Sequence, residues 1–141
     1  MIAGSVAVVT LILLGLLHVY WAAGGKAGKA AAIPTSAGQP VLNPSALATA
    51  MVALGLFAVA TLLAVRVGLL QAPEIVMANK LVRGGAWLIA ALFAVRAVGD
   101  FRYAGIFKRV RDTRFARLDT WVYSPSCAVL ALLIGIACME S

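Results

Sequence analysis

The sequence predicts an all-α membrane protein: an antiparallel four-transmembrane-helix bundle with a short amphipathic interfacial helix between spans three and four. Three observations carry that prediction. Hydrophobic residues make up 63% of the 141-residue chain and charged residues only 12%, about half the charge density with which water-soluble domains cover their surface. Apolar runs long enough to cross a bilayer recur along the chain. Lys and Arg gather in alternate connections between those runs, the asymmetry that orients membrane proteins. All of residues 1–141 read as a single integral membrane domain, with spans expected at about 2–23, 46–70, 81–100 and 120–139.

The first span, Ile2 to Ala23, has no charged residue and only His18 as an ionisable group. It lacks the positive n-region and cleavage site of a signal peptide. The connection from Gly24 to Asn43 is rich in Gly, Ala and Pro and reads as an irregular loop. It ends at Asn43-Pro44-Ser45, a helix start with a capping residue and Pro in the first turn. Ala46 to Val65 is free of charge up to Arg66, and a short connection carrying Gln71-Ala72-Pro73-Glu74 makes spans two and three antiparallel neighbours.

The third span needs an argument, because only twelve uncharged residues, Gly84 to Val95, separate Arg83 from Arg96. Thirteen helical steps cover roughly 20 Å, against about 30 Å of hydrocarbon. One of the two guanidinium groups must therefore be held inside the protein; the competing reading is a buried re-entrant piece. In the next connection Tyr103, Ile106, Phe107 and Val110 recur at helical spacing opposite Arg102, Lys108, Arg109 and Arg111, as in a helix lying in the membrane interface. A charged loop with scattered aromatics is the alternative. Trp121 to Met139 forms the last span, with Pro125 expected to bend or cap its first turn.

Eight Lys and Arg lie in the first and third connections (Lys26, Lys29, Arg102, Lys108, Arg109, Arg111, Arg114, Arg117), against Lys80 and Arg83, with Arg66 close by, on the other side. That bias places both termini outside and the two long connections in the cytoplasm. It also accounts for the net charge of +7 as an attraction of the lipid bilayer's anionic headgroups for the 102–117 segment. Nucleic acid is not expected as a partner, since no recognition motif or basic stripe with stacking aromatics is present. Cys127 and Cys138 are eleven positions apart, roughly 16 Å along a helix, too far for a disulfide. One His and no Cys pair at ligand spacing leave no metal or haem ligand set, and no cofactor is expected.

Once the spans alternate in direction, the polar residues converge on the inner leaflet: His18, Tyr20 and Trp21, Asn43 and Ser45, Arg96 and Asp100, and Asp119, Tyr123 and Ser124. Ionisable groups at membrane depth mark functional sites unless they only neutralise one another. Arg96, Asp100 and Tyr103 share a helical face with Gly99 beside them, and Arg96 is expected to pair with Asp100 or Asp119. Either the pair merely locks spans three and four, or it forms the floor of a ligand pocket. His18 reads as a proton-transfer residue or as an interfacial histidine beside an aromatic belt. Gly15 is expected to leave room beside it. Gly15, Gly55, Gly84, Gly85 and Gly135 read as close-packing positions.

On the pocket reading, His18, Asp100 and Asp119 are the candidate catalytic residues, and Trp21, Asn43, Arg96, Arg102, Tyr103 and Tyr123 the candidate ligand-binding residues. The ligand would be a small amphiphilic or lipid-like molecule. A homo-oligomeric transporter or channel subunit and a structural accessory protein are the competing classes. No Ser-His-Asp order, phosphate-binding Gly loop, metal-binding His pair or Cys-x-x-Cys is present.

The set His18-Val-Tyr-Trp21-Ala-Ala-Gly-Gly25, Asn43-Pro44-Ser45, Arg96-Ala-Val-Gly-Asp100-Phe-Arg102-Tyr103, Phe115-Ala-Arg-Leu-Asp119-Thr and Tyr123-Ser-Pro125 resembles a bacterial family of short four-span membrane proteins catalogued as a domain of unknown function. The resemblance covers nearly the whole chain. It implies the four-helix layout and a multi-pass protein of the bacterial inner membrane, and brings no activity, substrate or cofactor.

Overall fold

Residues 2–73 and 80–139 are described by the computed structural model. Helix α1 (Ile2–Ala22) is followed by a single turn, α2 (Lys29–Ala32), and a minimal hairpin of β1 (Thr35–Ser36) and β2 (Gln39–Pro40). The long helices α3 (Ala46–Arg66) and α4 (Lys80–Val98) come next, then α5 (Arg114–Leu118), a π-helical turn (Asp119–Tyr123) and α6 (Ser124–Met139). Among the described residues, three stretches are long and apolar enough to cross a membrane: Gly4–Ala22, Ala46–Arg66 and Arg114–Met139. At most 28% of any of them is buried in the protein. Most of their apolar surface therefore faces outward, an arrangement that lipid tolerates and water does not.

Neighbouring helices run in opposite directions. Gly4 and Gly15 of α1 lie against Val67, just past α3, and Phe57 of α3, so the two numberings run oppositely. Trp87 of α4 lies beside Gly135 of α6, whereas Arg96 meets Asp119. Gly4 also adjoins Ala137, and Tyr123, at the other end of the last helix, bonds to Ala31 beyond the end of α1. The core between these helices is made largely of small and branched side chains: Ala7, Leu11, Ala60, Leu63, Ala64, Ala86, Ala90, Leu130, Ile134, Ala137 and Cys138. Small residues let backbones approach where no hydrophobic effect drives helices together.

Only part of the glycine expectation survives. A Cβ on Gly15 would press into the Phe57 ring, so the space expected beside His18 is filled, while Gly55, Gly84 and Gly85 have nothing within 4 Å of theirs. Gly15→Leu is therefore expected to cost about 1–3 kcal/mol through overpacking, and Gly55→Leu to change stability by under about 0.5 kcal/mol. Thermal unfolding of the two variants in detergent checks the contrast.

Helix ends differ from the hydropathy-based bounds for local reasons. α3 stops at Arg66 rather than at Leu70, because Gly68 takes a left-handed conformation (φ +76°). The N–H groups of Gly68 and Leu69 then turn back to the carbonyls of Val65 and Ala64, the Schellman closure. The same bond pattern closes α1 at Gly24 and Gly25. Ser45 caps α3 by accepting from the Ala48 N–H, so Pro44 precedes the helix instead of opening its first turn. The turn expected at Gln71-Ala72-Pro73-Glu74 lies partly outside the described residues. In the first connection, the irregular loop holds α2 and the hairpin in addition to coil.

The interfacial helix expected over 102–111 is not formed. Residues 99–113 contain no helix, and the chain instead folds back on the end of α4, with Ile106 N–H donating to Ala97 O and Val110 N–H to Arg102 O. Arg96, Asp100 and Tyr103 consequently do not share a helical face. The last helix starts earlier than expected, at Arg114, where Thr113 accepts from the Ala116 N–H. Pro125 is accommodated by the π turn directly before it, whose wider bond runs from Ser124 N–H to Asp119 O, and which spares the proline ring a clash with the carbonyl one turn earlier.

Candidate functional site

The polar residues collect where α4 ends and the last helix begins, and the loop between them is built by two glycines and an aspartate. Gly99 (φ +92°) ends α4 with its N–H on Val95 O. Gly105, also at φ +92°, packs so closely on Val98 and Gly99 that a Cβ at either glycine would strike backbone. No residue with a side chain fits either position. Phe101 adopts a positive φ of 60° between them, and its ring lies 6.4 Å from that of Phe107.

Asp100 organises the turn. Its Oδ1 accepts from the N–H groups of Arg102 (2.9 Å), Tyr103 (2.7 Å) and Ala104 (2.9 Å). Burial pushes its carboxyl pKa up, but the N–H groups of Ala104, Arg102 and Tyr103 together outweigh this and hold it below the usual aspartate range. One oxygen of the carboxylate is thus committed to its own loop. Arg102 lies over the Tyr103 ring at 5.0 Å, and its carbonyl accepts from Arg109 and Val110 N–H.

Asp119 is the centre of the site and is fully buried. Its Oδ1 accepts from Arg96 Nη2 at 3.0 Å, and its Oδ2 from Gly105 N–H at 2.7 Å and Lys108 Nζ at 3.1 Å. Lys108, only 2% exposed, also donates to Gly105 O (3.0 Å) and Thr120 Oγ1 (2.7 Å). Thr120 in turn donates to Ala116 O. One carboxylate thereby fastens the end of α4, the returning loop and the start of the last helix. Two cations around one anion leave the cluster with a net charge of about +1.

Lys108, Thr120 and Gly105 were not among the candidate catalytic or ligand-binding residues read from the sequence. Lys108 sits in a run of six Lys and Arg between positions 102 and 117, with nothing to distinguish it from its neighbours until the loop folds back.

The other expected residues hold the same end of the helices together without converging on one point. His18 is half-buried, its Nδ1 donates to Leu14 O at 2.8 Å, and its ring meets Trp21 edge-on at 5.1 Å. Trp21 Nε1 donates to Ala27 O, and Tyr20 OH accepts from Ala27 N–H, so the two aromatics clasp the turn after α1. Tyr123 OH donates to Ala31 O and its ring lies 5.9 Å from Phe115, tying the first connection to the last helix. Asn43 is exposed ahead of the Ser45 cap. Among the described residues, no hydrogen bond or ion pair joins His18 to Asp100 or Asp119.

Two shallow grooves meet at Arg96. One is lined by Leu92, Val95, Gly99, Asp100 and Ala104. The other runs between α3 and α4, walled by Val52, Gly55, Leu56 and Val59 on one side and by Ile89, Leu92 and Phe93 on the other. Among the described residues, Arg96 is the only charged one lining this second groove, and of the six residues expected to bind ligand it alone reaches it. The side chain is 39% exposed, yet its Nη1 is shielded and has no hydrogen-bond partner among the described residues.

A family model described as a protein of unknown function (DUF3995) matches residues 11–134. No curated protein and no solved structure matches the chain.

Proposed function

The chain belongs to the DUF3995 family, and from that premise we propose that it is a four-span protein of the bacterial cytoplasmic membrane that holds a small amphiphilic molecule in the groove between α3 and α4. The observation that carries this reading is the groove itself, a shallow apolar depression between two helices, with the stem of Arg96 at one end of its lining. The fourth span is α4, whose 19 residues cover about 28 Å at 1.5 Å per residue. Its opposed packing on α6 supports that role, and pairing with Asp119 offsets the cost of Arg96 at membrane depth. The Lys and Arg asymmetry supports a cytoplasmic position for the Asp119 end and external termini.

The site favours binding over proton transfer. Both oxygens of Asp119 are engaged by cations and a backbone N–H, and Asp100 serves its own turn, so neither carboxylate is presented to His18. Native mass spectrometry of the detergent-purified protein tests the reading. The wild type is expected to retain an amphiphile that Gly55→Leu, which places a side chain in the groove, releases without loss of thermal stability. Equal retention by the two proteins would remove the groove as the site.

A further inference from the structure

The loop between α4 and α5 keeps its large apolar side chains on the outside of the protein. Phe101, Ile106 and Phe107 are each more than half exposed, with the Phe101 and Phe107 rings 6.4 Å apart. Phe101 holds its place at φ +60°, a conformation that costs a bulky residue energy and persists only where the surroundings fix it. In water the hydrophobic effect would favour turning such rings inward. We propose that these three side chains form a fixed wedge seated in the headgroup–acyl boundary of the bilayer, and that Arg102 and Arg109 beside it bind the headgroups of anionic lipids. The site is separate from the α3–α4 groove and does not depend on it.

The depth of the loop supports a bilayer setting. The chain does not project beyond the helices but folds back along them: the N–H of Gly105 reaches Asp119 Oδ2, that of Ile106 reaches Ala97 O and that of Phe107 reaches Val98 O. Ile106 and Phe107 are therefore level with the last turn of α4 and with the π-helical turn. Asp119 itself lies within the apolar stretch Arg114–Met139, not past its end. Trp121 opens out of the same π turn, 82% exposed, and is the amphipathic ring type that gathers at the membrane boundary. Water would leave four large apolar side chains uncovered in one short region; the boundary covers them. The three N–H bonds to Asp100 Oδ1 hold the turn in this shape beforehand, so little order has to be gained on contact with lipid.

Charge complementarity selects the lipid. The N–H of Arg109 donates to Arg102 O at 3.2 Å, so the two residues are neighbours across the loop, and both are exposed. Arg102 lies over the Tyr103 ring, which leaves the donors at the edge of its guanidinium for an acceptor. Asp119 is buried among its own cations. Asp100, with one oxygen given to its turn, and Asp112 face five exposed arginines, Arg102, Arg109, Arg111, Arg114 and Arg117. An anionic leaflet meets that surplus and a neutral one does not. A soluble acidic partner would meet the arginines but could not cover rings level with the last turn of α4.

The test attaches an environment-sensitive fluorophore to Phe107→Cys in the full-length protein carrying Cys127→Ser and Cys138→Ala. The protein is reconstituted into phosphatidylcholine nanodiscs doped with the same small fraction of phosphatidylglycerol or phosphatidylcholine, each with a nitroxide near the top of one acyl chain. Leu132→Cys, exposed on α6, is the reference site. At residue 107 blue-shifted emission quenched by both lipids is expected, with the labelled phosphatidylglycerol locally enriched by about tenfold. At residue 132 the two lipids should quench equally. Arg102→Gln with Arg109→Gln should bring the two lipids within about twofold of each other at residue 107, while unchanged quenching at residue 132 reports that the variant still spans the bilayer. Water-like emission that neither lipid quenches overturns the wedge. Blue-shifted emission without quenching overturns it too, because protein, such as a second copy of the chain, then covers the rings. Equal quenching in the wild type, or a preference that survives the double substitution, overturns the role of the two arginines and leaves the wedge standing.

Discussion

Asp119→Leu is expected to be among the most destabilising single substitutions in the protein, costing about 3–5 kcal/mol. The carboxylate is fully buried and meets Arg96, Lys108 and the Gly105 N–H. Removing it strands a lysine ammonium that is 2% exposed, together with a backbone donor. Lys108 is far more deeply buried than the Arg96 side chain, which is 39% exposed, so most of the loss falls on Lys108. Asp119→Leu combined with Lys108→Met should therefore recover a large part of the stability, because an apolar pair costs less than an uncompensated charge. Thermal and denaturant unfolding in detergent measure both. A loss under about 1 kcal/mol in the single variant, or no recovery in the double, would show that the cluster does not hold the loop to the helices.

Gly105→Val should be comparably severe, by a different route. At φ +92° a Cβ would collide with Val98 O and with the backbone of Gly99, and neither can move aside as a side chain could. Backbone strain and the clash together are expected to cost about 3 kcal/mol and to release Lys108 from Asp119, since Gly105 supplies a bond to each. Gly38, at the hairpin tip, also has a positive φ (+78°) but nothing within 4 Å of its Cβ position. Gly38→Ala should cost only about 1 kcal/mol. Similar losses at the two glycines would mean that close packing on α4 contributes nothing beyond backbone preference.

The three apolar spans could be read from the chain because hydrophobic length is a signal summed over some twenty residues. Where one residue decides, hydropathy is blind. Gly68-Leu69-Leu70 continues an apolar run, yet backbone bonds from Gly68 and Leu69 close the helix before it. The pattern of Tyr103, Ile106, Phe107 and Val110 is helical over only two turns, too short to outweigh the helix nucleation cost, and Gly99, Asp100 and Gly105 each commit the backbone to turning back.

That at least one of Arg83 and Arg96 had to be held inside was legible, because helix geometry fixes the distance between them; Arg96 is one that is held. Its partner could be narrowed to Asp100 or Asp119, and Asp119 is the one it meets. Asp100 was lost to the backbone N–H groups of its own turn, a competition that side-chain spacing on an assumed helix cannot reveal. Lys108 stayed hidden because its contact with Asp119, eleven residues on, exists only once the loop has folded back. The α3–α4 groove has no sequence signature, since its walls are the same Val, Leu, Ile and Phe that face lipid elsewhere.

The most direct test of the four-span arrangement, with the Asp119 cluster facing the cytoplasm, is labelling of an introduced Arg111→Cys with a membrane-impermeant thiol reagent. Arg111 is exposed in the loop that the cluster organises, and the native Cys127 and Cys138, half-buried and buried in α6, are replaced by Ser and Ala. The account predicts no labelling in intact cells and full labelling once the membrane is permeabilised. Labelling of intact cells would contradict it, placing the cluster, the groove mouth and Arg96 at the outer leaflet.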